Sequence, residues 1–131
     1  FMHIQDPDQI APGLASLATA QVEAVQFFAS TFLQAERRRF MAEMLRMKLP
    51  AIYEWPETVE EGGLSSYGPR ITLCYRHVAV LVSRILKGAK PSDLPIEQPA
   101  TFTLAINTRA AKQIGLALPE AMLLRADLLV D

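Results

Sequence analysis

The residues best suited to hold a small molecule gather in one stretch, LPAIYEWPETVEEGGLSSYG, at positions 49–68. Tyr53, Trp55 and Tyr67 offer flat faces for an apolar or cationic ligand. For each ring taken alone, core packing is the slightly favoured use. Glu54 can accept a hydrogen bond from a ligand ammonium, or it can cap the next helix; its type suits both equally. Glu57, Glu60 and Glu61 stand at i, i+3, i+4 and read as a solvated acidic face. No GxGxxG follows a strand, and GxxxxGK[ST], GxSxG and HExxH are absent. With no nucleophile–base pair in view, these residue types favour binding over catalysis. His3 and His77 are far apart and Cys74 is the only cysteine, so neither a metal site nor a cofactor is expected.

The elements around that stretch must position it. Leu49 to Tyr53 is an apolar run of strand length, and Pro56 suits the first position of a helix. Gly62-Gly63 end that short helix, and Leu64 to Tyr67 make a second strand. Ligands of open α/β sheets sit at the carboxyl ends of such strands. That rule makes the strand ends, with Tyr53, Glu54, Trp55, Ser66, Tyr67 and Gly68, the first place to look for function.

On the N-terminal side, a helix is expected over 6–21, a strand over 22–28 and a helix over 32–47 begun by Ser30 or Thr31. Arg37-Arg38-Arg39 on that helix reads as a solvated face. On the C-terminal side, apolar residues at i, i+3, i+4, i+7 predict a long helix over 70–87, with Cys74 as a small residue on its apolar face. Positions 90–99 hold three prolines and form an extended crossover. TFTLAI, at 101–106, is a strand, Asn107 caps a helix over 108–114, and Pro119 opens a final helical turn or two through Arg125. Alternation of this kind builds an α/β fold: a mostly parallel sheet with helices on both faces.

The chain has 131 residues and a formal net charge of −1, with half its residues hydrophobic. That is enough for one compact domain, and there is no basic excess to favour nucleic acid. No apolar run reaches the length of a membrane span, and Phe1-Met2-His3 lacks the regions of a signal peptide.

Several segments together, LPAIYEW, EEGGLSSYG, YRHVAVLVSRILKGAKPSDLPIEQPATFTLAIN and AAKQIGLALPEAMLLRAD, resemble the C-terminal half of ABC transporter substrate-binding proteins with the type I periplasmic-binding-protein fold. The likeness runs from about Val22 to the end. It implies a Rossmann-like lobe, a partial domain over 1–131, of a two-lobed protein. Its 70–87 helix would pack on the absent first lobe, and 88–100 would be a crossover between lobes. It further implies a small-molecule ligand, amino acids included, held by closure of two lobes, with a membrane permease as partner and the periplasm as location. Tyr53, Glu54, Ser66, Tyr67 and Gly68 match the family pattern at the cleft; Ser65 stands where the family commonly has a methionine. Without its first lobe, the exposed 70–87 helix is expected to drive self-association. A ligand-sensing domain of a regulator shares this fold and is the alternative reading. An enzyme is the least favoured, for want of a glycine-rich phosphate loop.

Overall fold

The computed structural model describes residues 2–131. Five strands form one sheet in sequence order: β1 (Val25–Gln26), β2 (Ala51–Tyr53), β3 (Ser65–Gly68), β4 (Thr103–Asn107) and β5 (Leu128–Val130). β1–β2, β2–β3 and β4–β5 pair in parallel; β3 and β4 pair antiparallel. The last strand lies beyond the final helix that the periodicity predicts.

The helices are α1 (Ile10–Thr19), α2 (Thr31–Ala35), α3 (Arg37–Arg46), α4 (Pro56–Glu60), α5 (Ile71–Leu86), α6 (Thr108–Ile114) and α7 (Glu120–Leu124). A 3₁₀ turn at Pro7–Gln9, begun by the Asp6 carboxylate accepting from the Asp8 N–H, leads into α1. The single helix expected over 32–47 is two. Glu36 breaks it with φ −93° and ψ 8°, and the Gln34 carbonyl freed there accepts from Arg37 Nη1 at 2.9 Å. The strand expected over 22–28 shortens because its first residue is taken: Gln21 turns left-handed (φ 49°), and the Val22 N–H donates to the Leu17 carbonyl to close α1.

Side chains alternate across the sheet, so paired residues share a face. Val25, Ala51, Tyr53, Ser66, Ala105 and Asn107 fall on one face. Ile10 and Leu14 of α1 and Phe40, Met41 and Met44 of α3 pack there against Ala51 and Tyr53. A second cluster joins Leu64 to Ala110, Ala111 and Ile114 of α6. Between strands and helices Asn107 ties the layer: its Oδ1 accepts from the Ala110 N–H at 2.8 Å and its Nδ2 donates to the Val59 carbonyl at 3.4 Å. Ile52, Ser65 and Ile106 fall on the other face. Leu116 to Pro119 and Met122 of α7 cross it and leave a groove of about 280 Å³.

α5 differs from every other long helix. None of its residues is buried, and Tyr75, Val78, Val82 and Ile85, spaced to share a stripe, are all exposed. Cys74 is half-buried rather than part of a core. The helix is held at its first turn, where the Glu57 carboxylate accepts from the Ile71 and Thr72 N–H groups, both at 3.4 Å, and Arg70 pairs with Glu60 at 2.8 Å. Farther along, His77 lies 3.6 Å from Glu97 of the proline-rich segment.

Candidate functional site

A cleft opens at the carboxyl ends of β1 and β2, lined by Phe27, Phe28, Ser30, Arg37, Glu54 and Trp55 among others. β1 delivers the first two aromatics: the Phe27 N–H continues the ladder by donating to the Ile52 carbonyl at 2.9 Å, so the chain leaves the sheet at Phe28. Ser30 starts α2, its hydroxyl accepting from the Leu33 N–H. β2 delivers Glu54 and Trp55, which sit between the strand end and Pro56, the first residue of α4.

Tyr53 forms the floor rather than a free contact. It is 6% exposed, and its ring stacks on Phe27 with centroids 4.9 Å apart and planes within 2°. Burial pushes its phenol well above the ordinary range, so it stays neutral. Glu54 is half-buried. Its carboxylate accepts no hydrogen bond among the described residues, and its Oε2 is covered from solvent without a partner. Desolvation raises its pKa. Arg37 supplies a cation to the same cleft, but Glu61 already holds it through two bonds, Nη2–Oε1 at 2.8 Å and Nε–Oε2 at 3.1 Å. That pairing, with Arg38 behind it, draws the Glu61 carboxyl below its ordinary value.

The remaining candidates lie outside the cleft lining. Ser66 is fully buried on the face that α4 covers, with its hydroxyl unpartnered. Tyr67 points to the opposite face, 59% exposed, against Phe102 at 5.6 Å. Gly68 has a backbone reason to be glycine: a Cβ there would stand 2.0 Å from the Glu54 carbonyl oxygen. It lets the tip of β3 close on the tip of β2 and so fixes where Glu54 sits. Ser65 donates to the Ala51 carbonyl at 3.2 Å, buried between strands.

Glu60 and Glu61 of the acidic cluster are exposed, as expected, but every carboxylate of the cluster has a partner. Glu57 caps α5, Glu60 pairs with Arg70, and Glu61 holds Arg37 and Arg38. Of the three arginines expected to be solvated, Arg37 is thus engaged, and Arg39 donates to the Pro7 carbonyl at 3.3 Å. Residues 27–30 and Arg37 of the cleft were not among the expected contacts. The rule applied to the tips of β2 and β3 covers the tip of β1 equally, and the Phe27-Phe28 pair there is its signal.

The cleft encloses only about 20 Å³, near the room one water needs. A larger concavity, about 430 Å³, lies between α1 and α3, but two of its three rim charges already pair: Arg46 with Glu43 at 2.8 Å. Its floor is the apolar seam of two helices, with no unpartnered buried polar atom. The strand-end cleft sets aromatic rings beside Glu54.

Among known proteins, the family model for ABC transporter substrate binding proteins matches residues 16–130. The ABC domain in complex with L-Trp from Streptococcus pneumonia shares 23% identity at a TM-score of 0.85, over 98% of this chain and 43% of that one. A conserved domain protein from Vibrio cholerae O1 biovar El Tor shares 23% identity at a TM-score of 0.83, over 93% of this chain and 41% of that one. A ligand-free, open substrate binding protein with adhesive properties from Clostridium difficile gives 18% identity and a TM-score of 0.62, over 98% and 42% of the two chains. At such identities the likeness is one of fold, that of the periplasmic binding proteins. The chain spans about two-fifths of the length of each of these structures. No curated protein matches it.

Proposed function

We propose that this chain, which belongs to the family of ABC transporter substrate-binding proteins, forms one wall of a solute clamp whose ligand is an amino acid. A solute-binding role follows from the family; the ligand class and the clamp are our reading. The observation that carries it is the cleft at the tips of β1 and β2, which Phe27, Phe28, Trp55 and Glu54 line together. The bound L-Trp of the Streptococcus pneumonia structure is consistent with that ligand class.

The cleft is too shallow to enclose an amino acid, since small-molecule sites are typically several hundred Å³. A second lobe must supply the facing wall and shut out water. α5 suits the role of the joint: anchored at its first turn by Glu57 and Glu60, it carries an apolar stripe that packs on the other lobe. Residues 88–100 then return to the sheet at β4. The clamp delivers its solute to a membrane permease from the periplasmic side, by binding and release without covalent chemistry. Among the described residues no helix is long and apolar enough to cross a membrane.

Calorimetry of the 131-residue chain with L-amino acids tests the need for a second wall. Millimolar or weaker binding is expected; micromolar affinity for any of them would overturn the two-lobe reading. On its own the chain associates through α5, so light scattering at sub-millimolar concentration should show dimers or larger species. A monodisperse monomer would contradict this.

A further inference from the structure

We infer that the side of α5 opposite its apolar stripe is a docking surface for an anionic phospholipid bilayer. α5 carries two stripes rather than one. Ile71, Tyr75, Val78, Val82 and Ile85 follow one another by alternate steps of four and three. Leu73, His77, Val80, Arg84 and Lys87 follow the same steps, displaced by two positions, which is about 200° around the helix. The first stripe is the apolar one that the clamp gives to its other lobe. The second lies on the far side and stays outward whether the first meets a lobe or another copy of the chain. The inference therefore goes beyond the solute-binding reading and does not rest on it.

The second side is strongly basic for a chain of net charge −1. From Ile71 to Ser92 there is no Asp or Glu, while Arg76, Arg84, Lys87 and Lys90 fall within that stretch. All four are exposed, and none joins an ion pair among the described residues. Elsewhere arginines are paired: Arg37 and Arg38 with Glu61, Arg46 with Glu43, Arg70 with Glu60. The one carboxylate at ion-pair distance from this side is Glu97, 3.6 Å from His77. Unpaired cations of one sign on one side of a helix call for a negatively charged partner.

The form of the surface favours a plane of headgroups over an acidic protein segment. α5 is about 24 Å long and none of its residues is buried, so its outer side is a convex ridge. The cavities described above all lie elsewhere. Between the cations stand Leu73, 43% exposed, and Val80, 53% exposed. At a bilayer the aliphatic groups dip below the phosphates, while the long stems of Arg and Lys let their charges remain at that level.

Co-sedimentation of the 131-residue chain with vesicles tests this. One set is pure phosphatidylcholine; the other is phosphatidylcholine mixed equally with phosphatidylglycerol. The chain should partition onto the mixed vesicles at least about tenfold better at low salt, and high salt should remove the difference. Arg76→Glu together with Arg84→Glu should abolish the preference, whereas Val82→Ser, on the first stripe, should keep it. If the charge-reversed chain does not fold, Arg76→Gln with Arg84→Gln takes its place, since it removes both cations without adding carboxylates. Equal binding to both vesicle types would mean that the apolar stripe inserts instead, and would overturn the inference. A preference that survives in the folded double variant overturns it too, because the lipid contact then lies elsewhere. Absence of binding to either vesicle also overturns it; retention of the parent chain on immobilised poly-L-glutamate would then assign the surface to an acidic protein. None of these results bears on whether the strand-end cleft holds a solute.

Discussion

Glu54 lies where β2 ends and α4 begins, a position at which a carboxylate could have capped the helix, yet α4 has no side-chain cap and, among the described residues, the Glu54 carboxylate has no donor. Its raised pKa, caused by desolvation, has a consequence for stability. The folded state disfavours the ionised form, so ionisation costs stability as pH rises from the ordinary value of 4.5 through the folded one, and the loss persists at neutral pH. Glu54→Gln cannot ionise. Its Tm is expected to exceed the parent's at neutral pH, with the gain vanishing below the ordinary carboxyl range; a gain independent of pH would refute the assignment. Residue type and position were enough to single out Glu54, but not to choose between cap and ligand contact, because both uses ask for the same carboxylate at the same place. Tyr53 and Ser66 show the complementary limit: strand alternation sends both side chains inward, under Phe27 and α4, and the distance to a strand end does not reveal which face is covered.

At the scale of elements, the acidic turn of α4 anchors its neighbours on both sides. Glu57, Glu60 and Glu61 look from spacing alone like a solvated face, and besides lying at the surface each holds a different partner: the first turn of α5, Arg70, and Arg37 of α3. Those partners come from segments 10 to 24 residues away in the chain, which no local period encodes. The helices were legible where the signal is local. Asn107 before α6, Gly115 after it (φ 76°) and Pro56 at the start of α4 stand where capping rules place them. The break at Glu36 and the left-handed turn at Gln21 that delays β1 were not, since non-glycine residues take those backbone turns. Glu57→Gln weakens the acceptor for the Ile71 and Thr72 N–H groups and should cost about 0.5–1 kcal/mol. Amide hydrogen exchange would show it as lost protection in the first turn of α5 with β2 and β3 unchanged. Protection unaltered at α5 would mean that Arg70–Glu60 alone anchors the helix.

For the whole molecule, the sheet and its covering helices make a body with its own core, while α5 stands apart with its apolar stripe uncovered. The α/β order of elements was readable from periodicity, and the antiparallel β4 and the added β5 emerged only from the folded chain. A wall with a shallow cleft on one edge and an uncovered helix leading away suits the half-clamp proposed above, and the similarity to the Streptococcus pneumonia and Vibrio cholerae structures, at TM-scores of 0.85 and 0.83, is one of fold. The claim that this edge holds the solute is tested most directly by mapping amide chemical shifts of the chain during titration with L-tryptophan. The account predicts weak, saturable shifts confined to residues 27–30 and 53–55. Shifts centred on the groove between α1 and α3 would contradict it.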